Sequence, residues 1–217
     1  MRTGIFGGTF NPIHLAHLRL AEEVREACAL ERVLFIPAAT PPHKTVAENV
    51  SFTQRLTMVR AAVAGNPAFF ASDLEAQRTG KSYSVQTLEI LRRQAPGDDF
   101  FFIIGMDSFR DLPLWKDYRR LFDLTNLVVV GRPGLETVEP RQFLPVAIQG
   151  EFCYDEPLKF RHSSGTSVHF LKAKGLDISS TGIRRLVTEG RSIRYLVPPA
   201  VEEIIMKHGL YQRPERK

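Results

Sequence analysis

Short apolar runs alternate with amphipathic stretches along the chain, and each change of period marks a change of element. Residues 3–6 read as a first, buried strand, followed by a loop over 7–13. From about residue 14 to 29, Leu15, Leu18, Ala21, Val24 and Cys28 recur every three or four positions. That spacing puts them on one face of a helix. Residues 32–36 are a second strand, and the proline-rich stretch 37–49 a loop. Phe52, Leu56, Val59 and Val63 predict a helix over 51–64, and residues 68–72 a third strand. A helix over 84–94 ends at Ala95-Pro96-Gly97. Residues 99–105 and 126–131 are apolar without alternation, the pattern of strands covered on both faces. Residues 133–165 are weakly patterned, with a strand or two expected over 146–154. Two helices, 181–189 and 199–208, close the chain, the second started by Pro198-Pro199. Strands alternating with helical patterns predict an α/β fold, a doubly wound and mostly parallel sheet with helices on both faces. One domain is expected over 1–217, with a C-terminal helical part from about residue 177.

With 217 residues, 43% hydrophobic and 24% charged, the composition is that of a globular protein. It excludes a disordered chain, a collagen-like repeat and a disulfide scaffold. The apolar runs fall far below the roughly 18 residues of a membrane span, and the N-terminus lacks the apolar core of a signal peptide. No membrane association is expected. Cys28 and Cys153 form no metal knuckle, and free thiols suit a reducing cytoplasm. The net charge of +5 favours an anionic partner without choosing between nucleic acid and phosphorylated small molecules.

The turn after the first strand carries the chemistry. It reads Gly7-Gly8-Thr9-Phe10-Asn11-Pro12-Ile13-His14-Leu15-Ala16-His17. Two glycines let the backbone approach a ligand closely, and the following helix N-terminus offers free N–H groups and a positive dipole end. His14 and His17, three apart, project to one side and can donate to phosphate oxygens. Half a metal site is the rival reading, but no ligand spacing nearby completes it, so no protein-held metal is expected. The turn is not a dinucleotide fingerprint. Gly80-Lys81-Ser82 is not a P-loop, because Glu75 stands where the first glycine belongs. In the second motif, Ile178-Ser179-Ser180-Thr181-Gly182-Ile183-Arg184, one hydroxyl can cap a helix while Arg184 reaches an anion with a planar fork.

These two segments resemble the paired signatures HxGH and ISSTxIR of the nucleotidyltransferase superfamily, with Ala16 in place of the usual Gly and Asn11 where many members carry Asp. Residues 41–44, 81–88 and 105–109, with Trp115, narrow the resemblance to the bacterial nicotinate-nucleotide adenylyltransferases, from Thr3 to about Ile205. The fold this implies is Rossmann-like. The implied reaction transfers AMP from ATP to nicotinate mononucleotide, giving deamido-NAD and pyrophosphate, with Mg²⁺ and without a covalent enzyme intermediate.

The resemblance implies the following roles. Gly7, Gly8, Thr9 and Phe10 hold the ATP phosphates, His14 and His17 contact the α-phosphate and the oxygen bridging to the leaving group, and Arg184, the third catalytic residue, reaches the β and γ phosphates. Ser179, Ser180 and Thr181 hold the outer phosphates, and Gly105 and Asp107 lie at the ribose, Asp107 being otherwise a helix N-cap. Lys44 is either a phosphate clamp or a solvated loop lysine. Trp115 offers a face to the pyridine ring, and Ser82, Tyr83, Ser84 and Thr87 surround a helix N-terminus that receives the carboxylate. The rivals are a transferase for another acceptor, such as phosphopantetheine, and a non-catalytic nucleotide- or RNA-binding module. No nucleic-acid partner is expected, since no RNA-stacking motif is present. A homo-oligomer stays open.

Overall fold

The first strand, β1 (Arg2–Gly8), lies third from one edge of an eight-stranded sheet in a computed structural model that describes residues 1–41, 50–131, 142, 144–156 and 158–213. The other strands are β2 (Arg32–Pro37), β3 (Phe69–Ala71), β4 (Asp99–Gly105), β5 (Asn126–Gly131), β6 (Phe152–Glu156), β7 (Lys159–His162) and β8 (Ser167–Lys172). Their order is β3-β2-β1-β4-β5-β8-β7-β6. Pairing is parallel from β3 to β8 and antiparallel from β8 through β7 to β6. The chain moves outward one way from β1 to β3, then returns to the other side of β1 with β4. Ligands of open α/β sheets bind at such a reversal, outside the carboxyl ends of the strands.

Helices cover both faces, as the sequence predicts. One core joins Val33, Phe35, Phe101, Ile103 and Val128 of the sheet to α1 (Leu15–Ala27), α2 (Phe52–Val63), α6 (Ser180–Thr188) and α7 (Pro199–Lys207). The other joins Ile5, Phe100, Phe102, Leu127 and Val129 to α3 (Ser84–Gln94), α4 (Met106–Arg110) and α5 (Tyr118–Leu124). Alternate residues of β4 and β5 thus feed opposite cores, which is why these strands read as unbroken apolar runs. Gly4 leaves room for side chains packed over the sheet: a Cβ there would lie 2.9 Å from Leu30 Cδ1 and 3.2 Å from Val33 Cγ2.

Three expectations need correction. The third strand is three residues long. The segment expected as strand from 146 begins as a 3₁₀ helix, Val146–Glu151, and only Phe152–Glu156 is extended. The antiparallel β7 and β8 and the short α5 were not expected, and α4, expected only as a helix capped by Asp107, begins two residues earlier. Five to seven residues are too few for a helical period to show. No helix among the described residues is long and apolar enough to cross a membrane.

Candidate active site

The carboxyl ends of β1 and β4, the two strands at the reversal, open onto a cavity of about 590 Å³. Gly7, Gly8 and Thr9 form one side and Gly105 the other, with Ser82, Tyr83, Ser84, Val85 and Trp115 around the rim. Gly8 leaves room for its neighbour: a Cβ there would stand 3.0 Å from the Phe10 ring, which would have to give way. Phe10 is buried at φ 47°, a left-handed conformation that a phenylalanine adopts only under constraint. The Asn11–Pro12 peptide bond is cis.

His14 does not stand in the first turn of α1. It is the N-cap, with extended backbone, and His17 is the third helical residue. The two rings still meet, because N-cap and N3 side chains face each other. They stack with centroids 3.6 Å apart at 24°. The His14 backbone N–H donates to His17 Nδ1 at 3.2 Å, so a neutral His17 carries its proton on Nε2. Burial pushes the His14 ring down to about 4 and holds His17 well below the usual histidine range, where a positive charge on His14 would also oppose it. Both rings are therefore neutral at pH 7, each with one N–H to give. His14 Nδ1 is buried without a partner. His17 also packs its edge against Phe10 and Phe6, and Phe6 lines the cavity.

The second motif lies against the first. Ser179 caps α6, accepting from Gly182 N–H at 3.1 Å. Ser180 Oγ donates to Pro12 O at 2.9 Å, and Arg184 Nη1 to Asn11 O at 2.8 Å. Arg184 Nη2 donates to Thr181 Oγ1 at 3.2 Å. Asn11 Oδ1 accepts from the buried Tyr211 hydroxyl, so this position supplies a side-chain oxygen that Asn and Asp offer alike. The histidines, Phe10, Arg184 and residues 179–181 thus gather on the outer side of the turn and do not line the main cavity.

On the other side of the cavity, α3 begins at Ser84 with Tyr83 as N-cap and no side-chain cap. Its first N–H groups have no acceptor within the helix, and Ser84 and Val85 line the cavity. Trp115 is half-buried, edge-on to Phe102 at 6.3 Å. Thr87 is fully engaged elsewhere: its hydroxyl donates to buried Glu75 at 2.6 Å and accepts from Arg78 Nη2 at 3.0 Å. It supports the cavity wall and presents no free donor. Asp107 is exposed in the first turn of α4; Gly105 holds the N-cap place expected for it, and Asp111 and Ser108 line the cavity instead. Lys44 lies outside the described residues.

Sequence reading missed Glu75, Arg78, Tyr211 and Arg55. Arg55 carried a visible signal, since it stands three residues after Phe52 and four before Val59, on the apolar face of its helix.

The cytidylyltransferase-like family model matches residues 5–186. A protein of Syntrophotalea carbinolica named "Probable nicotinate-nucleotide adenylyltransferase" is 61% identical over 217 residues, the whole of both chains. One of the same name from Geobacter sulfurreducens is 56% identical over 97% of this chain and 98% of its own. Among solved structures, Plasmodium falciparum nicotinic acid mononucleotide adenylyltransferase complexed with NaAD superposes with a TM-score of 0.71 over 97% of each chain. At 18% identity that likeness speaks for the fold alone. With more than half its residues shared along the full length of such relatives, the chain belongs to the cytidylyltransferase-like family and, within it, to the nicotinate-nucleotide adenylyltransferases.

Proposed function

We propose that the chain transfers the AMP unit of ATP to the phosphate of nicotinate mononucleotide, in the synthesis of NAD. A phosphate oxygen of the acceptor attacks the α-phosphorus of ATP, the bond to the bridging oxygen breaks, and pyrophosphate leaves. The products are deamido-NAD and pyrophosphate. The attacking phosphate is already an anion, so no general base is required. Catalysis is positioning plus stabilisation of charge on the transferred group.

The observation that carries this reading is the stacked, neutral pair His14–His17 at the N-terminus of α1, beside the glycine turn at the sheet reversal. Two imidazole N–H groups and backbone amides face where phosphate oxygens gather charge, partly out of water, where such donors act most strongly. Arg184, with Ser179, Ser180 and Thr181, supports the outer phosphates from α6. Gly7, Gly8 and Thr9 receive the phosphates on the cavity side, Phe10 fixes the turn, and Gly105 leaves room for the nucleoside between β1 and β4. Trp115, Ser82, Tyr83 and Ser84 enclose the pyridine ring. Asp107 remains a candidate for the ribose.

Nucleotidyl transfer generally uses a divalent metal ion. Among the described residues no group of three His, Cys, Asp or Glu is placed to hold one. The donors at the turn are imidazoles, a guanidinium and amides, which do not suit Mg²⁺, a cation that takes oxygen ligands. Mg²⁺ is therefore read as part of the MgATP substrate, and no step of the protein is routed through it.

A pyrophosphate-release assay over a panel of nucleoside triphosphates and acceptor monophosphates tests the reading. Release is expected only with ATP, Mg²⁺ and nicotinate mononucleotide together. Faster turnover with phosphopantetheine would overturn the acceptor assignment.

A further inference from the structure

We infer that Arg55, which none of the sequence motifs contains, is a positioning residue for ATP: it fixes the peptide planes of the phosphate turn. The inference rests on the reading of that turn as the ATP phosphate site.

Arg55 projects from the first turns of α2 and is 1% exposed. Its Nη1 donates to Thr9 O at 2.7 Å, and its Nη2 to Ala38 O at 2.8 Å and Ala39 O at 3.4 Å. Thr9 belongs to the turn after β1; Ala38 and Ala39 follow β2. Ala38 N–H also donates to Gly8 O at 2.8 Å. One planar guanidinium therefore bridges the two turns that flank the cavity on this side, and Thr9 and Ala38 both line it.

The direction of these bonds gives them a consequence for an anion. In a trans peptide, C=O and the next N–H point opposite ways. Drawing Thr9 O toward Arg55 turns the Phe10 N–H away from Arg55. Ser180 does the same to Pro12 O, turning the Ile13 N–H, and Arg184 engages Asn11 O. Three carbonyl groups of the turn that would repel a polyphosphate, those of Thr9, Asn11 and Pro12, are thus engaged by donors from α2 and α6. Two of those donors belong to the second motif. The third is Arg55, and it alone of the three also reaches the turn after β2.

A lysine cannot replace this. A single ammonium lacks the rigid fork that reaches carbonyls in two segments at once. The cost of putting a charged group in the interior also argues for a purpose beyond packing, since a leucine at this place on the apolar face would suffice for the core. Arg55 Nε has no hydrogen-bond partner, so the side chain is committed to its two terminal nitrogens.

The experiment compares the wild-type chain with Arg55→Lys and Arg55→Gln. Folding is checked by circular dichroism and melting temperature. ATP binding is measured by calorimetry without acceptor, and KM is then determined for each substrate. Lysine keeps the charge and glutamine keeps a neutral donor, but neither spans both turns. In both variants ATP binding and KM for ATP are expected to worsen roughly tenfold to a hundredfold, the scale of a small misplacement in a site. KM for nicotinate mononucleotide is expected to stay within about twofold, because α3 and Trp115 hold that side. Unchanged ATP binding in the folded variants would overturn the inference. So would an equal rise in both KM values, or failure of both variants to fold, since each would reduce Arg55 to a general structural part. Because ATP binding is read without turnover, a wild-type chain that binds ATP yet makes no deamido-NAD would defeat the proposed function and leave this comparison standing.

Discussion

The Tyr211 hydroxyl donates to Asn11 Oδ1 at 2.6 Å, tying the C-terminal end of the fold to the phosphate turn across 200 residues of sequence. Burial pushes the phenol's pKa up, so the proton stays in place. Thr188 Oγ1 donates to Tyr211 O from α6, which joins this contact to the helix that carries Arg184. Tyr211→Phe removes the donor and leaves Asn11 Oδ1 buried and unpaired, a cost of about 1–3 kcal/mol. For a chain of this size a melting point lower by roughly 2–10 °C is expected. Since Asn11 lies in the turn, kcat is expected to fall too. An unchanged melting point measured by circular dichroism would mean the bond is replaced by water.

The His14–His17 pair sets a pH dependence. Both rings are neutral when folded, His14 down to about 4, while an unfolded histidine titrates near 6.5. Between those values the unfolded chain binds more protons than the folded one. Stability is therefore whole above pH 6.5 and is lost as pH falls from 6.5 toward 4. Part of that slope is expected to disappear in His14→Asn, compared by urea unfolding at pH 5 and pH 7.5. A bound polyphosphate favours the charged imidazoles. ATP binding is thus expected to take up protons near pH 6, seen by calorimetry in two buffers of different ionisation enthalpy. Zero uptake would show that the rings do not sense the phosphates.

His17 Nε2–H is the donor that the ring geometry leaves free for the transition state. His17→Ala is expected to lower kcat by roughly 10²–10³, the scale for removing one such donor. ATP affinity is expected to change much less. The reverse pattern, weakened binding with kcat kept, would make His17 a ground-state contact.

The two signatures and the helices that follow them were legible because turn chemistry and caps are local. Gly7-Gly8, the Ser179 cap and the helix from Ser84 to Gln94 each depend on residues within one or two turns of the chain. What escaped depends on contacts distant in sequence. The Thr87 hydroxyl looked free for a ligand, yet Glu75 and Arg78 occupy it. Asp107 sits where a cap was expected, yet the chain enters α4 through Gly105. The hairpin of β7 and β8 has alternation that suits an amphipathic edge, but only pairing with β5 decides its extent. Tyr211 shows no pattern at all until the C-terminus is folded back onto the turn.

Arg184 already serves the turn before any ligand is bound, through Asn11 O and Thr181 Oγ1. Arg184→Lys keeps the charge and loses the fork that makes both bonds. A clear loss of kcat/KM for ATP is expected, with far-UV circular dichroism unchanged. Activity near that of the wild type would show that only a diffuse positive charge is needed there.

The choice between a carboxylate and an amide on the pyridine ring falls to the start of α3. With the Thr87 hydroxyl spent on Glu75, that edge of the cavity offers the backbone amides of Ser84 and Val85, the Ser84 hydroxyl and Lys116, whose Nζ lies 5.0 Å from the Tyr83 ring, at the positive end of a helix whose first turn holds no acidic residue. Such an end favours the carboxylate of nicotinate mononucleotide. The amide of nicotinamide mononucleotide turns an NH₂ donor toward donors and leaves groups unpaired, at about 1–3 kcal/mol each. A preference of at least about tenfold in kcat/KM for the acid is expected, equivalent to about 1.4 kcal/mol. Two substitutions isolate the cause. Ser84 is the first helical residue, where proline is tolerated, and Tyr83 before it is extended at φ −91°, ψ 128°, as a residue preceding proline must be. Ser84→Pro deletes the Ser84 amide donor together with its hydroxyl while keeping the helix start, and Ser84→Ala, which removes the hydroxyl alone, separates the two. The proline variant is expected to lower kcat/KM for the acid and leave the slower amide reaction nearly unchanged, so that the two values converge. If both fell together, the substitution would have moved the helix; if neither changed, the carboxylate would be read by something other than the start of α3.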